Sequence, residues 1–186
     1  MNIITLSRTD IFYGEVNQKE LDLDRNQIKY KIYESFIENK LEEKISDHLK
    51  VMNCDAMFHL THYIIDYFLF YSNKRRLGFS KIINGSKQFG YCVLPGSSTL
   101  SKSHNKPLDP ITSPDFTLVY CVDVQEGSSD LVIEYDDHRR KGRSWQFPVK
   151  NNCYYMFNSS LRYYITKNKS DRINTFFIQT YAEQRQ

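Results

Sequence analysis

Histidine is the residue type in this sequence with the widest choice of chemistry. His59 and His62 lie three residues apart in a helical stretch, a spacing that can present two imidazoles to one metal ion. No glutamate of the metalloprotease type lies between them, which favours a structural role. His104 lies in a polar turn between Ser103 and Asn105 and is either a metal ligand or a solvated turn residue. No Ser-His-Asp order, phosphate loop or Cys-His pair rises above background.

A basic run with one tryptophan is the second candidate site. It comprises Arg139, Arg140, Lys141, Arg143 and Trp145. Such a run contacts nucleic acid or an acidic protein partner, or it forms the solvated tip of a hairpin. The net charge is only +3, from 25 basic and 22 acidic residues, which argues against a dedicated nucleic-acid binder. We therefore expect any partner of this run to be a protein.

The hydrophobic periodicity changes near residue 84, and this change predicts the fold class. Loose alternation over Ile3–Val16 predicts a strand, and apolar residues every three or four positions predict helices from about Arg25 to Leu49 and over Ala56–Tyr71. Seven strand-like runs separated by turn residues follow. They cover Phe89–Leu94, Phe116–Val124, Leu131–Tyr135, Trp145–Phe147, Tyr154–Phe157, Tyr163–Thr166 and Ile173–Tyr181.

This order of elements predicts a mostly β, α+β protein in which two N-terminal helices cover one sheet of a two-sheet roll. A chain of 186 residues is long enough for one domain with a sizeable core. We expect a single domain over residues 1–186, with the opening strand and helices in 1–83 and the β-roll in 84–186.

The cysteines and the apolar stretches indicate the compartment. Cys54, Cys92, Cys121 and Cys153 are scattered and form no C-x-x-C pair, which favours reduced thiols in a cytoplasm. The first ten residues lack the basic start and apolar core of a secretion signal. The most apolar later stretch is far shorter than the ~20 residues of a membrane helix. We expect no membrane contact.

Three segments, taken in chain order, resemble the Fe(II)/2-oxoglutarate oxygenases that are common in phage genomes, many of them beside virion structural genes. IITLSRTDIFYGEV resembles the opening strand that precedes two helices in that family. YCVLPGSSTLSKSHNKP, followed by FTLVYCVDV, is similar to the metal strand, its histidine-containing turn and the next long strand. FNSSLRYYITKNKSDRINTFFIQTY resembles the closing segment and is the most specific of the three. The resemblance implies a double-stranded β-helix, or jelly roll.

The resemblance also implies where iron and cosubstrate would bind. The family holds Fe(II) with two histidines and one carboxylate, which leaves three positions open. The first histidine matches His104, the carboxylate position falls on Lys106, and the second histidine position falls on Tyr163. An ammonium has no lone pair for a metal and repels it, and a phenol is a poor Fe(II) ligand. Arg172 matches the residue that binds the distal carboxylate of 2-oxoglutarate.

Other assignments stay open at these positions. Asp109, on the same loop as His104, and Asp115, at the start of the next strand, are substitute metal ligands. Arg172 can instead pair with a nearby acid such as Asp171 or Glu134.

Three functions follow from this pattern. The leading hypothesis is a non-catalytic, oxygenase-like jelly roll without a cofactor, made in a host cytoplasm, that assembles with other proteins of a phage virion or with copies of itself. A fold can persist after its chemistry is lost. The second is an active Fe(II)/2-oxoglutarate hydroxylase that uses His104, Asp109 or Asp115, and Arg172. The third is an anion-binding module in which Arg172 and Lys106 supply positive charge.

Overall fold

A computed structural model describes residues 10–41, 49–51, 53–74, 82–104, 113–138 and 141–183. Two helices are among its elements, α1 (Arg25–Leu41) and α2 (Asp55–Lys74). The strands are β1 (Ile11–Glu15), β2 (Leu49–Lys50), β3 (Ile82–Val93), β4 (Phe116–Asp123), β5 (Asp130–His138), β6 (Lys141–Pro148), β7 (Cys153–Asn158), β8 (Arg162–Ile165) and β9 (Asn174–Glu183).

The strands form two antiparallel sheets. The larger has six strands in the order β1-β7-β4-β9-β3-β2, and the smaller has three in the order β6-β5-β8. Strands that are distant in sequence therefore pair, as β1 does with β7 and β3 with β9. This alternation of the chain between two facing sheets is the jelly-roll arrangement.

An inner core of apolar and aromatic side chains lies between the two sheets. It includes Val119 and Cys121 from the large sheet, and Leu131, Ile133 and Tyr163 from the small sheet. Successive residues of a strand point to opposite faces. Odd-numbered positions of β4 therefore fill the roll, while its even-numbered positions face the other side of the large sheet.

An outer core joins the helices to that other side of the large sheet. Ile28 and Ile32 of α1, and Met57, Leu60 and Ile64 of α2, are at most 1% exposed. They pack with Leu118, Tyr120, Val122, Met156 and Phe177 of the sheet. The helices thus cover one sheet face, as their four-residue periodicity predicts.

The predicted fold class is confirmed, with one correction to the first helix. The described part of that helix ends at Leu41, and Leu49 begins strand β2, where it pairs with Gly90. Leu49 is buried, as an apolar stripe requires, but the backbone there is extended. Residues 1–9 and 42–48 of the predicted strand and helix lie outside the described residues. The single-domain assignment stays a prediction.

Two further observations concern the thiols and the helices. Cys54, Cys92, Cys121 and Cys153 all carry free thiols. Among the described helices, none combines the length and the apolar character that crossing a membrane requires.

Candidate functional site

His104 and Tyr163 meet at one end of the roll because of a short backbone bridge. The Lys102 N–H donates to the Tyr163 carbonyl at 3.0 Å, and the Tyr163 N–H donates back at 2.8 Å. Two residues further on, the His104 N–H donates to the Ser159 carbonyl at 3.1 Å. His104 Nε2 then lies 2.8 Å from Tyr163 Oη. Two of the three positions that the family resemblance assigned to iron ligands are therefore joined by a direct hydrogen bond.

Aromatic side chains of β3 complete the surroundings of this pair. Tyr91 Oη lies 3.1 Å from Tyr163 Oη, and the His104 ring stacks on Phe89 with centroids 5.5 Å apart. Lys102 Nζ lies 4.5 Å from the centroid of the Tyr91 ring, within the range of a cation–π contact. The pair thus lies between the large sheet, through Tyr91 and Phe89, and the small sheet, through Tyr163.

Burial keeps both groups of the pair uncharged. Tyr163 is fully buried, and this desolvation raises the pKa of its phenol. Burial, together with the positive charges of Lys102 and Lys87, lowers the pKa of His104 to about 4. At neutral pH the site therefore holds a neutral imidazole and a neutral phenol.

The hydrogen bonds of the pair engage the His104 ring in either direction of donation. Nε2 of the neutral imidazole either accepts the Tyr163 proton or donates its own proton to Tyr163 Oη, depending on the tautomer. The bond between Tyr91 Oη and Tyr163 Oη likewise runs in either direction. In both cases His104 Nε2 is engaged with Tyr163 and offers no free lone pair to a metal.

The described residues do not fit the Fe(II) site of the oxygenases. That site needs three donors, and no group of three His, Cys, Asp or Glu side chains that could hold a metal occurs within the described ranges. Tyr163 would have to become a phenolate, which its buried position opposes. The helical histidines His59 and His62 belong to no group of three potential ligands within the described ranges either, and His62 Nδ1 lies 2.9 Å from the Phe58 carbonyl oxygen of its own helix.

Of the carboxylate position Lys106 and the two substitute ligands, only the substitute Asp115 lies among the described residues. Lys106 and Asp109 lie outside the described residues. Asp115 is close to His104 through the backbone, because the Ser159 N–H donates to the Asp115 carbonyl at 2.9 Å while the Ser159 carbonyl accepts from His104. Two backbone hydrogen bonds thus connect Asp115 to His104.

Arg172 lines a pocket to which His104 does not contribute. Its side chain is exposed and lines a polar pocket of about 490 Å³ together with Lys29, Asp123 and Glu126. Two carboxylates line this pocket, which weakens the case for a site that binds anions. The assignment of Arg172 to a 2-oxoglutarate carboxylate stays a prediction.

The basic run lies on the β5–β6 hairpin. Its strands pair from Asp130↔Pro148 to His138↔Lys141, and Arg139 and Arg140 lie outside the described residues. Arg143 is exposed, and Trp145 is 56% exposed although it pairs across the sheet with the buried Ile133. The hairpin therefore presents a basic and an aromatic side chain to solvent, a combination suited to a protein contact.

Sequence reasoning missed three residues of the site, namely Phe89, Tyr91 and Lys102. All three lie on the segment that resembles the family's metal strand and turn, or directly before it. Alternation along that segment places Tyr91 on the inner face, and this was the one available signal. Its partner Tyr163 is 72 residues away, so the contact depends on how the sheets face each other.

Comparison with known proteins identifies the fold. No family model matches the sequence, and no curated protein matches it. Among solved structures, a prolyl-4-hydroxylase from Pseudomonas putida matches with a TM-score of 0.57 at 9% identity, covering 86% of this chain and 82% of that one. AviO1 from Streptomyces viridochromogenes Tue57 matches with a TM-score of 0.57 at 12% identity, covering 95% and 90%.

Further solved structures match at similarly low sequence identity. The non-heme alpha-ketoglutarate-dependent epimerase SnoN of nogalamycin biosynthesis gives a TM-score of 0.55 at 12% identity, covering 92% of this chain and 77% of that one. This chain spans only 47% and 51% of two others, a 2OG-Fe(II) oxygenase family oxidoreductase from Burkholderia pseudomallei and the carbocyclase SnoK. The chain therefore has the double-stranded β-helix fold seen in 2-oxoglutarate-dependent oxygenases. At 9–12% identity the similarity shows a shared fold, and the chemistry has to be inferred from the residues of the site.

Proposed function

We propose that this protein is a non-catalytic jelly roll of the oxygenase type that acts through contacts with other proteins. The observation that carries the proposal is the hydrogen bond between His104 Nε2 and Tyr163 Oη, which joins two of the three positions expected to hold iron. A neutral phenol lies there, where the family would supply a second imidazole.

In this proposal the former metal position has a structural task. Tyr91 belongs to the large sheet and Tyr163 to the small sheet, so their hydrogen bond, extended to His104, connects the two sheets at one end of the roll. Buried hydrogen bonds that are fully satisfied favour one arrangement of a core. The site thus stabilises the scaffold on which the contact surfaces are built.

The second candidate function is an active Fe(II)/2-oxoglutarate-dependent oxygenase, and the structural neighbours taken alone favour it. Its metal ligands would be His104 and an acid from Asp109 or Asp115, with Arg172 for the cosubstrate. The backbone link from Asp115 through Ser159 to His104 supports this candidate. It requires the hydrogen bond between His104 Nε2 and Tyr163 Oη to break, so that the imidazole can face a metal.

Metal titration distinguishes the two candidates. Mn(II), a redox-silent substitute for Fe(II), is titrated calorimetrically into anaerobic protein with and without 2-oxoglutarate. We expect no binding in either titration, because the described residues offer one imidazole where three donors are needed. Micromolar binding that depends on 2-oxoglutarate, with succinate formation that His104→Ala abolishes, would instead establish the oxygenase.

A double variant tests whether the scaffold binds metal once the family's ligand types are restored. Lys106→Asp combined with Tyr163→His restores the residue types of the family at the two changed positions. We expect this variant to bind Mn(II) more tightly than the wild type. Binding by the double variant alone would assign the loss of metal to these two residues.

The identity of the protein partner is a further part of the proposal. We propose virion components as partners, on the family resemblance, and the β5–β6 hairpin as a contact surface. Trp145 is the single tryptophan of the chain and is 56% exposed, so its fluorescence reports burial of this surface. Absence of the protein from purified particles would remove the virion assignment, while unchanged partner capture by Trp145→Ala would remove the hairpin.

A further inference from the structure

A pocket of about 240 Å³ lies between β1 and the second half of α2, away from the His104–Tyr163 pair. Six of its nine lining residues are aromatic, and none carries a formal charge. The lining consists of Ile11, Phe12, Tyr13, Ile64, Tyr67, Phe68, Tyr71, Tyr154 and Met156. This lining is apolar overall but rich in phenol rings, which restricts the ligands that would gain from entering it.

The pocket has a buried apolar floor and tyrosine walls. Ile64, Phe68 and Met156 are at most 3% exposed, whereas Tyr71 is 49% exposed. The rings of Tyr67 and Tyr71, on successive turns of α2, are nearly parallel, with centroids 6.4 Å apart. Both rings line the pocket, so a group resting on the floor would contact them.

Gly14 of β1 makes room for the third wall, Tyr154. A Cβ atom at position 14 would lie 2.6 Å from Tyr154 Oη and 2.8 Å from its Cζ. The Tyr154 ring can therefore lie across β1 only because residue 14 has no side chain. Any larger residue at position 14 would displace the free end of the ring and leave the backbone in place.

A carboxylate lies behind the tyrosine wall. Glu20 accepts hydrogen bonds from Tyr67 Oη and, at 3.2 Å, from Tyr63 Oη, and Asn17 Nδ2 donates to it at 2.9 Å. The hydrogen bond from Tyr67 is the main reason that the pKa of Glu20 is lowered, so the carboxylate is charged at neutral pH. A phenol that donates to a carboxylate also carries more electron density on its ring. The walls are thus electronegative although they carry no charge themselves.

We propose that this pocket binds a methylated ammonium group. Its methyl groups would rest on the apolar floor, and its positive charge would face the tyrosine rings, whose negative faces attract cations. An anion would be repelled by Glu20, and an unmethylated ammonium would lose more hydration on entry. The pocket is smaller than the about 300–1,000 Å³ typical of larger ligands, which suits a head group of this size.

The probe for this proposal is choline, compared with its uncharged isostere 3,3-dimethylbutan-1-ol. Binding to the full chain is followed by isothermal titration and by the upfield shift of the methyl protons near aromatic rings. We expect choline to saturate the site and to bind at least about fivefold more tightly than the isostere, from the cation–π contribution. Equal affinity for the two, or no binding of choline, would overturn the proposal.

Four variants place the binding in this pocket. Tyr71→Ala removes a wall, Glu20→Gln removes the charge, and Gly14→Ala displaces Tyr154. Each is expected to weaken choline binding by about fivefold or more, with thermal unfolding near that of the wild type. Tyr30→Ala, which removes a 68% exposed tyrosine of α1, is the matched control and should bind as the wild type does. Unchanged affinity in Tyr71→Ala would contradict the assignment.

The same titration distinguishes two natural sources of the methylated ammonium group. A free quaternary amine is represented by choline, and a modified protein side chain by acetylated trimethyllysine methylamide. Both carry the same head group, so tighter binding of the second would point to a methylated protein segment as the natural ligand. This inference is independent of the metal titration, because it uses no residue of the His104–Tyr163 pair.

Discussion

His104 is held neutral in the folded protein, and this makes the stability of the protein depend on pH. Burial and the charges of Lys102 and Lys87 lower its pKa from the ordinary 6.5 to about 4. Between these values the unfolded chain binds a proton at His104 that the folded chain does not bind. The corresponding stability is fully present above pH 6.5 and is lost as the pH falls towards 4, up to about 3 kcal/mol.

The variant His104→Gln tests this contribution. Urea unfolding of wild type and variant at about pH 7 and about pH 4.5 gives the change in unfolding free energy for each. We expect the wild type to lose more stability on acidification than the variant, because carboxylates titrate alike in both. His59→Gln, which changes an exposed histidine of α2, should behave as the wild type. Identical losses in wild type and His104→Gln would show that His104 titrates normally.

At the scale of single residues, the sequence predicted which positions form the site better than it predicted the contacts between them. The family resemblance aligned His104 and Tyr163 with two ligand positions, and the structure brings them within 2.8 Å of each other. The stacking of His104 on Phe89 and the bond from Tyr91 to Tyr163 could not be predicted. Both contacts join segments that are adjacent only once the two sheets face each other.

At the scale of elements, the contact between α1 and the large sheet depends on Gly90 of β3. A Cβ atom there would lie 2.7 Å from Ile32 Cγ2, 2.9 Å from Ile32 Cγ1 and 3.0 Å from Val51 Cγ2. These neighbours are buried, Ile32 on α1 and Val51 directly after β2, so they cannot move freely. We expect Gly90→Ala to lower the unfolding free energy by about 1–3 kcal/mol through overpacking.

A double-mutant cycle with Ile32→Ala checks the cause. Ile32→Ala alone leaves a cavity and should cost about 2–5 kcal/mol. The methyl group of Gly90→Ala would enter that space, so the double variant should lose less than the sum of the single losses. Gly14→Ala is the control for adding a methyl group to a strand glycine. That methyl group would contact the free end of the Tyr154 side chain instead of buried side chains of the core. Additive losses would mean that Gly90 and Ile32 do not interact.

The elements themselves were largely predictable, and the exception has a physical cause. Period-two and period-four patterns indicated each strand of the β half and both helices. Most ends differ from the observed ones by a few residues, but β3 begins at Ile82, seven residues before the predicted Phe89 and ahead of the predicted boundary at residue 84. Leu49 continues the four-residue spacing of α1 but pairs with Gly90 as an edge strand. Tertiary pairing with β3 thus decides the backbone conformation there, which local spacing cannot show.

At the scale of the whole molecule, one sheet supports two cores. Cys121 and Val122 are neighbours on β4, yet Cys121 faces the inner core and Val122 the outer core, both at most 1% exposed. Alternation along β4 could have been predicted from its sequence, but a strand apolar on both faces gives no sign of what covers each face. The pairing order of the strands was likewise beyond prediction, since β1 pairs with β7 about 140 residues later.

Because β4 is a central strand shared by both cores, we expect the two cores to open together. Two single-cysteine proteins report this, both with Cys54, Cys92 and Cys153 changed to alanine. One keeps Cys121, and the other carries Cys121→Ala with Val122→Cys, so that the thiol faces the helices. A buried thiol is labelled only when its surroundings open. The labelling rates of both proteins should therefore rise with urea along the same slope, that of global unfolding.

A different slope at one position would contradict this shared opening. If Val122→Cys were labelled at lower urea with a smaller slope, the helices would detach from the large sheet while the roll stayed closed. The jelly roll would then be the cooperative unit and the helix layer a separate one. Matching slopes would instead mean that both cores open in one step, which exposes β4. A ligand in the pocket between β1 and α2 and a substitution at the His104–Tyr163 pair would then change the free energy of that same opening.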